Sequence, residues 1–253
     1  MKLPLVLDIG MFDGADTEYY LDTGHRVVAV EANPTLVALA TDRYADAVRR
    51  GQLTILNVAI SATNAPVTLA VSGFDLGRSS TVHGRLDARE IAGTYTVPGL
   101  TMRDLIAQYP ERARLIKFDI EGADASCLAA ITRENRPDAL SWEVGEEGVS
   151  AILPSLLAVG YTRFKLIDQT TLRELSRRPY LPDRIAKRLL RYMGMAKPQL
   201  VRRGNYWFKP IHSSGPAPWE SDGPWRTAED VSRQYAAFKS SGDTQLWLDL
   251  HAM

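Results

Sequence analysis

The sequence predicts an α/β fold built on a mainly parallel sheet with helices on both faces. Short apolar runs alternate with amphipathic segments of helical length through the first two thirds of the chain, which is the pattern of successive βα units. The 253 residues, 45% of them hydrophobic, suffice for one large domain with a substantial core. This composition argues against disorder as the dominant state.

The alternation gives seven strands and five intervening helices in order along the chain. The strands are expected at 4–9, 26–31, 53–59, 114–120, 139–144, 161–167 and 205–209. The helices are expected at 16–23, 34–50, 102–109, 123–134 and 149–159, with a last helix at 228–239. Two helices have clear start signals, because Pro34 follows Asn33 and Thr101 with Asp104 resembles a capping box.

Charge and cysteine usage limit the class of function. The chain has 30 Lys and Arg against 30 Asp and Glu, so its bulk charge does not favour a nucleic-acid partner. Its one cysteine, Cys127, excludes an intramolecular disulfide and a metal site of clustered thiolates. The N-terminal apolar stretch is too short for a signal peptide, and no window approaches the roughly 18 uncharged apolar residues of a membrane span. A soluble, cytoplasmic protein is expected.

Two insertions and a tail interrupt the alternation. Residues 65–89 follow a strand and carry a polar, glycine-bearing stretch, where a substrate loop is expected. Residues 171–203 hold ten Lys or Arg against two acids, a local balance of +8. This basic segment is either a solvated helix face or a contact for an anionic partner or surface. We expect one domain over 1–212 with the tail, 213–253, packed on it.

The first strand leads into a turn that is typical of a cofactor loop. It contains Asp8, Gly10, Asp13 and Gly14, and glycines at the carboxyl end of a strand allow a cofactor to approach the backbone. A dinucleotide site would require a third glycine, and two carboxylates would repel a pyrophosphate. They suit S-adenosylmethionine, which carries a sulfonium cation and no phosphate.

The second strand ends in Glu31, about twenty residues after this loop, followed by Asn33. An acid at this position can accept hydrogen bonds from both ribose hydroxyls. Because that spacing fits nicotinamide cofactors equally well, Glu31 does not by itself distinguish them from S-adenosylmethionine.

A pair of acids closes the fourth strand. Asp119 and Glu121 point to the same side of a strand, and Lys117 precedes them on that side. The pair could orient the methionine moiety, accept a proton from a substrate hydroxyl or hold a divalent cation. Alternatively, Glu121 caps the next helix and Asp119 pairs with Lys117 inside the sheet.

The order and spacing of these blocks resemble the FkbM-type S-adenosylmethionine-dependent methyltransferases. The most specific block is Ile116-Lys117-Phe118-Asp119-Ile120-Glu121-Gly122-Ala123-Asp124, and the similarity covers about residues 3–170. The resemblance implies a Rossmann-like class I methyltransferase fold, with seven strands of which the last, expected at 205–209, is antiparallel. It also implies methyl transfer to an oxygen of a sugar, polyketide or related small molecule.

The resemblance assigns the cofactor by position along the chain. Asp8, Gly10 and Gly14 would line its amino-acid end and Glu31 its ribose, and Asp13 and Asn33 are expected to be cofactor-binding residues beside them. Asn57 and Ala59 would border the adenine, and Asp119 and Glu121 would face the methyl donor and acceptor. The sequence departs from the commoner family pattern at 11–13, which puts the local shape of the methionine pocket in question.

Removing a proton from an alcohol acceptor calls for a base. His83, in the first insertion, and Glu143, at the end of the fifth strand, are candidates beside Asp119 and Glu121. The alternatives are an exposed loop histidine and a structural strand-end acid. If a metal takes part, Asp119, Glu121 and Glu143 offer oxygen ligands suited to Mg²⁺ rather than zinc.

Three alternative hypotheses about the function remain open. The first is a class I methyltransferase acting on RNA or protein, with the basic segment as its docking surface. The second is a binding module of the same fold that has lost its chemistry. The third is a dehydrogenase, against which the incomplete glycine frame argues. A homo-oligomer is compatible with each of them.

Overall fold

The computed structural model describes residues 2–73, 79–81, 90–120, 124–145, 147–177, 200–210, 212–240 and 247–253. The strands are β1 Leu5–Ile9, β2 Arg26–Val30, β3 Leu53–Leu56, β4 Ala59–Ile60, β5 Val67–Ser72, β6 Ile91–Val97, β7 Gly99–Leu100, β8 Leu115–Phe118, β9 Ala139–Glu143, β10 Phe164–Asp168, β11 Arg173–Glu174, β12 Val201–Arg203, β13 Tyr206–Phe208 and β14 Leu248–Ala252. The α-helices are α1 Ala15–Asp22, α2 Pro34–Arg43, α3 Ala45–Arg49, α4 Met102–Gln108, α5 Asp124–Ala129, α6 Val149–Ala158 and α7 Ala228–Ser240, and Leu175–Arg177 forms a short 3-10 helix.

The central sheet has the order β11-β10-β14-β9-β8-β1-β2-β3. The pairs β2–β3, β1–β2, β1–β8 and β8–β9 are parallel. Strand β14 is antiparallel to both of its neighbours, β9 and β10, so these two run in the same direction. Six parallel strands and one antiparallel strand confirm the predicted fold class, and the two-residue β11 adds an eighth strand at the edge.

The expected last strand at 205–209 is wrong. Its residues Tyr206–Phe208 pair with Val201–Arg203 in a separate hairpin, which packs on Tyr19 of α1. The antiparallel strand of the sheet is instead Leu248–Ala252, all five residues of which are buried. Asp249 and His251 interrupt its apolar pattern, which concealed from the sequence a strand buried on both faces.

Several boundaries also differ from the predicted ones. The helix expected over 34–50 divides at Tyr44, whose hydroxyl donates to the carbonyl of Gly14 at 3.0 Å. The third strand stops at Leu56, and Ala59 pairs with Gly99 outside the main sheet. Both helix starts are confirmed, because Asn33 Oδ1 accepts from Thr35 N at 3.0 Å and Thr101 Oγ1 accepts from Asp104 N at 3.1 Å.

Apolar clusters cover both faces of the sheet. The larger cluster packs one face against residues of α4, α5, α6 and α7. The smaller covers the other face with residues of α1, α2, α3, the β12–β13 hairpin and the tail. Sequence alternation puts Asp8 and Lys117 on this second face, beside the apolar Val6 and Leu115.

The predicted insertions are described only in part. Strands β5 and β6 form an antiparallel hairpin with a register shift between Val71 and Ser72, whereas 74–78 and 82–89 lie outside the described residues. The same holds for 178–199 of the basic segment. Among the residues described, no helix combines the length and the apolar character that crossing a membrane requires.

Candidate cofactor and acceptor site

The glycine loop after β1 lies tightly against the end of β8. Gly10 has φ +87°, and a methyl group on it would overlap the carbonyl oxygen of Asp119. Gly14 has φ +79°, and its added methyl would lie 2.8 Å from the Tyr44 ring. Both positions therefore favour glycine on conformational as well as steric grounds.

Glu31, just beyond β2, is held beside this loop by two backbone hydrogen bonds. Its Oε2 accepts from Phe12 N at 2.9 Å and its Oε1 from Asn33 N at 2.8 Å. Burial raises the pKa of this carboxyl. Because an ionised carboxylate can accept about four hydrogen bonds, each oxygen keeps capacity for a further donor. The arrangement fits a ribose diol, the group expected at this position.

Asn57 and Ala59, which are expected near the adenine, form hydrogen bonds with the backbone of neighbouring segments. Asn57 Nδ2 donates to the carbonyl oxygens of Glu31 and Ala32, at 3.0 Å each. Ala59 is buried, and its N–H donates to the carbonyl of Pro98 at 2.9 Å. Asn33 is also buried, and its Nδ2 has no hydrogen-bond partner among the described residues. Asn33 thus caps α2 and still holds a free donor.

Lys117 is the buried centre of a group of carboxylates. Its Nζ lies 3.0 Å from Asp119 Oδ2, 3.1 Å from Asp16 Oδ2 and 3.7 Å from Asp8 Oδ1. Burial raises the pKa of Asp8 to about 6, although Lys117 opposes that shift. Thr17 Oγ1 donates to Asp8 Oδ2 at 2.6 Å. Asp8 is thus buried at the end of β1, and its carboxylate contacts Thr17 and Lys117.

Asp119 and Glu143 are hydrogen-bonded to each other where β8 and β9 end. Burial alone would raise the pKa of Asp119, but Lys117 and a hydrogen bond with Glu143 hold it below its usual value. Burial and the neighbouring Asp119 raise the pKa of Glu143 well above its usual value. These opposite shifts favour a proton on Glu143 and an ionised Asp119, whose side chain is 34% exposed. Such a carboxylate can bind an ammonium group or accept a proton.

The segment that joins β13 to the tail, together with the first tail residues, folds back over the glycine loop, a contact that the sequence did not reveal. Asp13 Oδ1 accepts from Ala15 N at 3.2 Å, and its Oδ2 lies 3.1 Å from Lys209 Nζ and 3.0 Å from His212 Nδ1. Asp16 accepts from Ser213 Oγ and, at 3.1 Å, from Ser214 N. Partners almost 200 residues apart leave no local signal for such contacts.

Two predicted site residues, Glu121 and His83, lie outside the described residues. The structure does bring Asp8, Lys117, Asp119 and Glu143 together on one face of the sheet. Within the described ranges, no group of three or more His, Cys, Asp or Glu side chains is placed to hold a metal ion. Two further acids of this cluster, Asp16 and Asp249, were missed by sequence reasoning.

The sheet order, the glycine loop after β1 and the acid after β2 define a class I methyltransferase fold. The model of the methyltransferase FkbM domain matches residues 8–164, which is more than half of the chain. The chain belongs to the FkbM methyltransferase family.

Similar proteins carry varied names. Over 82 residues the chain is 37% identical to the "Probable ribosomal RNA small subunit methyltransferase A" of Natronomonas pharaonis, a match that covers 32% of this chain and 30% of that protein. A crystal structure of methyltransferase FkbM from Methylobacillus flagellatus is 16% identical with a TM-score of 0.44, covering 65% of this chain and 40% of that one. The structure of Haemonchus contortus phosphoethanolamine N-methyltransferase 2 in complex with S-adenosyl-L-methionine is 12% identical, with a TM-score of 0.41. The match covers 100% of this chain and 49% of that one. The matches thus span less than two thirds of these relatives' own lengths.

Proposed function

We propose that this protein transfers a methyl group from S-adenosylmethionine to a hydroxyl oxygen of a small molecule such as a sugar, a glycoside or a polyketide-type metabolite. The observation that carries this proposal is the partly exposed Asp119 carboxylate, which lies 3.0 Å from Lys117 Nζ and beside the glycine loop. S-adenosylmethionine supplies a methyl group on a good leaving group, so the protein's main tasks are to align the acceptor and to remove its proton.

The described residues fit this cofactor. Glu31 has hydrogen-bonding capacity left for both ribose hydroxyls and is fixed against the loop by Phe12 N and Asn33 N. Gly10 and Gly14 allow close approach at the loop, and Asn57 with Ala59 borders the expected adenine position. Asp13 fixes the loop in place through its contact with Lys209, just after β13. Asp8 acts indirectly, through Lys117 and Thr17.

Asp119 is the proposed base. Lys117 favours its ionised form, and Glu143 orients it by donating a hydrogen bond. Because a carboxylate can accept about four hydrogen bonds, Asp119 keeps capacity to accept the proton of the acceptor hydroxyl as the new oxygen–carbon bond forms. Glu121 and His83 stay candidate bases by sequence alone. The proposed mechanism assigns no step to Mg²⁺.

Calorimetric titration with S-adenosylmethionine, S-adenosylhomocysteine and NADH, each with and without Mg²⁺, tests the cofactor. We expect micromolar binding of both sulfur compounds, independent of Mg²⁺, and none of NADH. Glu31→Gln removes one charged acceptor from the ribose contact, so both sulfur compounds should bind about tenfold more weakly. The proposal is refuted if neither S-adenosylmethionine nor S-adenosylhomocysteine binds to the unaltered protein.

Turnover is tested by screening hydroxylated acceptors with isotope-labelled S-adenosylmethionine and detecting labelled product by mass spectrometry. Asp119→Asn should lower kcat by about 10²–10⁴ while S-adenosylhomocysteine affinity changes little. Asp138→Asn is the matched control. Asp138 lies just before β9, at the opposite end of the parallel strands from Asp119, and pairs with Arg112 and Arg114. Full activity of Asp119→Asn would exclude the proposed base.

An RNA acceptor is the second candidate. The partial match to a probable ribosomal RNA methyltransferase and the +8 balance of the basic segment, 171–203, favour it. The acids around Lys117 count against phosphate near the reacting atoms. Salt-sensitive retention of RNA, with labelled methyl groups found in the RNA, would establish this candidate. Cofactor binding without transfer to any acceptor would instead indicate an inactive binding module.

A further inference from the structure

A third acid stands beside Asp119 and Glu143, and it comes from the tail. Asp249 is directly opposite Glu143 in the β14–β9 register, so both side chains lie on the same face of the sheet. Because β14 runs antiparallel, its first residues lie at the edge where β8 and β9 end. The tail thereby adds a carboxylate to the site edge of the sheet.

Asp249 is fully buried and only partly satisfied. Its Oδ1 accepts from Gln169 Nε2 at 3.1 Å, whereas its Oδ2 has no hydrogen-bond partner among the described residues. The ionisable groups on its side of the sheet are Glu143 from β9, Asp119 and Lys117 from the end of β8, and Asp16 from α1. Lys165 of β10 and His251 of β14 lie one residue pair further along the same face. A buried carboxylate oxygen without a donor is not neutralised by a neighbouring group, so its charge adds to the negative potential at the carboxyl ends of β8 and β9.

The charges near Asp249 do not balance within the chain. Five carboxylates cluster on this side of the sheet with two buried lysines, Lys117, which lies within 4 Å of three of them, and Lys165, which donates to the carbonyl of Ser221. The carboxylates are Asp8, Asp16, Asp119, Glu143 and Asp249. Even with a proton on Glu143, the cluster has excess negative charge. A cation bound at its open side, next to Asp119, would reduce that excess.

We infer that Asp249 is a positioning residue for the cofactor, whose negative charge, together with that of Asp119, favours the sulfonium form over the neutral thioether product. This inference rests on the proposed function, because it takes the cation to be S-adenosylmethionine. Asp249 lies two strands from Asp119, about 10 Å at the usual strand spacing. At that separation in a protein, one unit charge still changes an affinity by up to about fifteenfold.

The test compares two dissociation constants measured by calorimetry at pH 8 for each variant. Asp249→Asn keeps the size of the side chain and the acceptor for Gln169 but removes the charge. We expect the ratio of the S-adenosylmethionine Kd to the S-adenosylhomocysteine Kd to rise three- to tenfold. Asp249→Glu, which restores the charge, should return the ratio toward that of the unaltered protein.

Controls separate this effect from loss of structure and from failure of the proposed function. Asp138→Asn removes one charge at the opposite end of the parallel strands and should leave the ratio unchanged. Asp249→Ser provides a second uncharged variant, and thermal unfolding monitored by circular dichroism shows which variants are folded. An unchanged ratio in the folded uncharged variant overturns the inference. If the unaltered protein binds neither compound, the proposed function fails as well, which is a different result.

Discussion

Gly10 occupies a backbone position where a side chain meets two separate obstacles. Its positive φ is unfavourable for other residues, and an added methyl would overlap the carbonyl oxygen of Asp119. Gly10→Ala should therefore destabilise the protein by about 1–3 kcal/mol and weaken S-adenosylmethionine binding, as measured by urea unfolding and calorimetry. Gly24→Ala is the control, because Gly24 has a similar φ of +82° with nothing within 4 Å. Equal effects of the two substitutions would contradict the close approach of the loop to β8.

Asp249 should make stability depend on pH. Burial raises its pKa to about 7 in the folded protein, from 3.8. Between these values the folded state binds more protons than the unfolded state, so this group's contribution to the free energy of unfolding falls as pH rises from about 4 to 7. Asp249→Asn lacks that contribution. Relative to the unaltered protein, it should gain up to about 4 kcal/mol between pH 4 and pH 8 in urea unfolding. A constant difference across this range would refute the raised pKa.

Strand β14 links β10 to the rest of the central sheet. It lies between β9 and β10, and Leu250 at its centre is fully buried. Leu250→Ala should cost about 2–5 kcal/mol in the free energy of unfolding, because it leaves a cavity in the core. Leu157→Ala makes the same chemical change at a side chain that is 45% exposed on α6 and should cost much less. Comparable losses in denaturant titrations would mean that β14 is not packed as described.

The elements also indicate how far the sequence could be interpreted. Helix starts at Asn33 and Thr101 were predictable because the capping residue and the donor it accepts from are neighbours in the chain. Glu31 was predictable because strand periodicity and distance from the glycine loop are local properties. Asp249 was not, because its partners Glu143 and Gln169 are far away in sequence. Identifying it requires knowing which strand pairs with β9.

In the molecule as a whole, a neutral chain concentrates negative charge at one edge of its sheet. The 30 basic and 30 acidic residues balance overall, yet the cluster around Lys117 is strongly acidic and 171–203 is basic. Composition alone therefore could not indicate the charge that an acceptor meets. The family match ends at residue 164, whereas the tail supplies β14 and the contacts to Asp16, and Lys209 and His212 just before the tail contact Asp13.

The position of β14 has a consequence for synthesis on the ribosome. Gln169 and Asp249 hydrogen-bond across 80 residues of chain, and β10 joins the sheet only through β14. At a translation rate of about 5–20 residues per second, β10 is made roughly 4–16 s before the strand that pairs with it, and β9 is made somewhat earlier still. During that time each presents an unpaired backbone edge, which is a template for aggregation. The nascent protein should therefore benefit from a chaperone that covers these edges until β14 has been made.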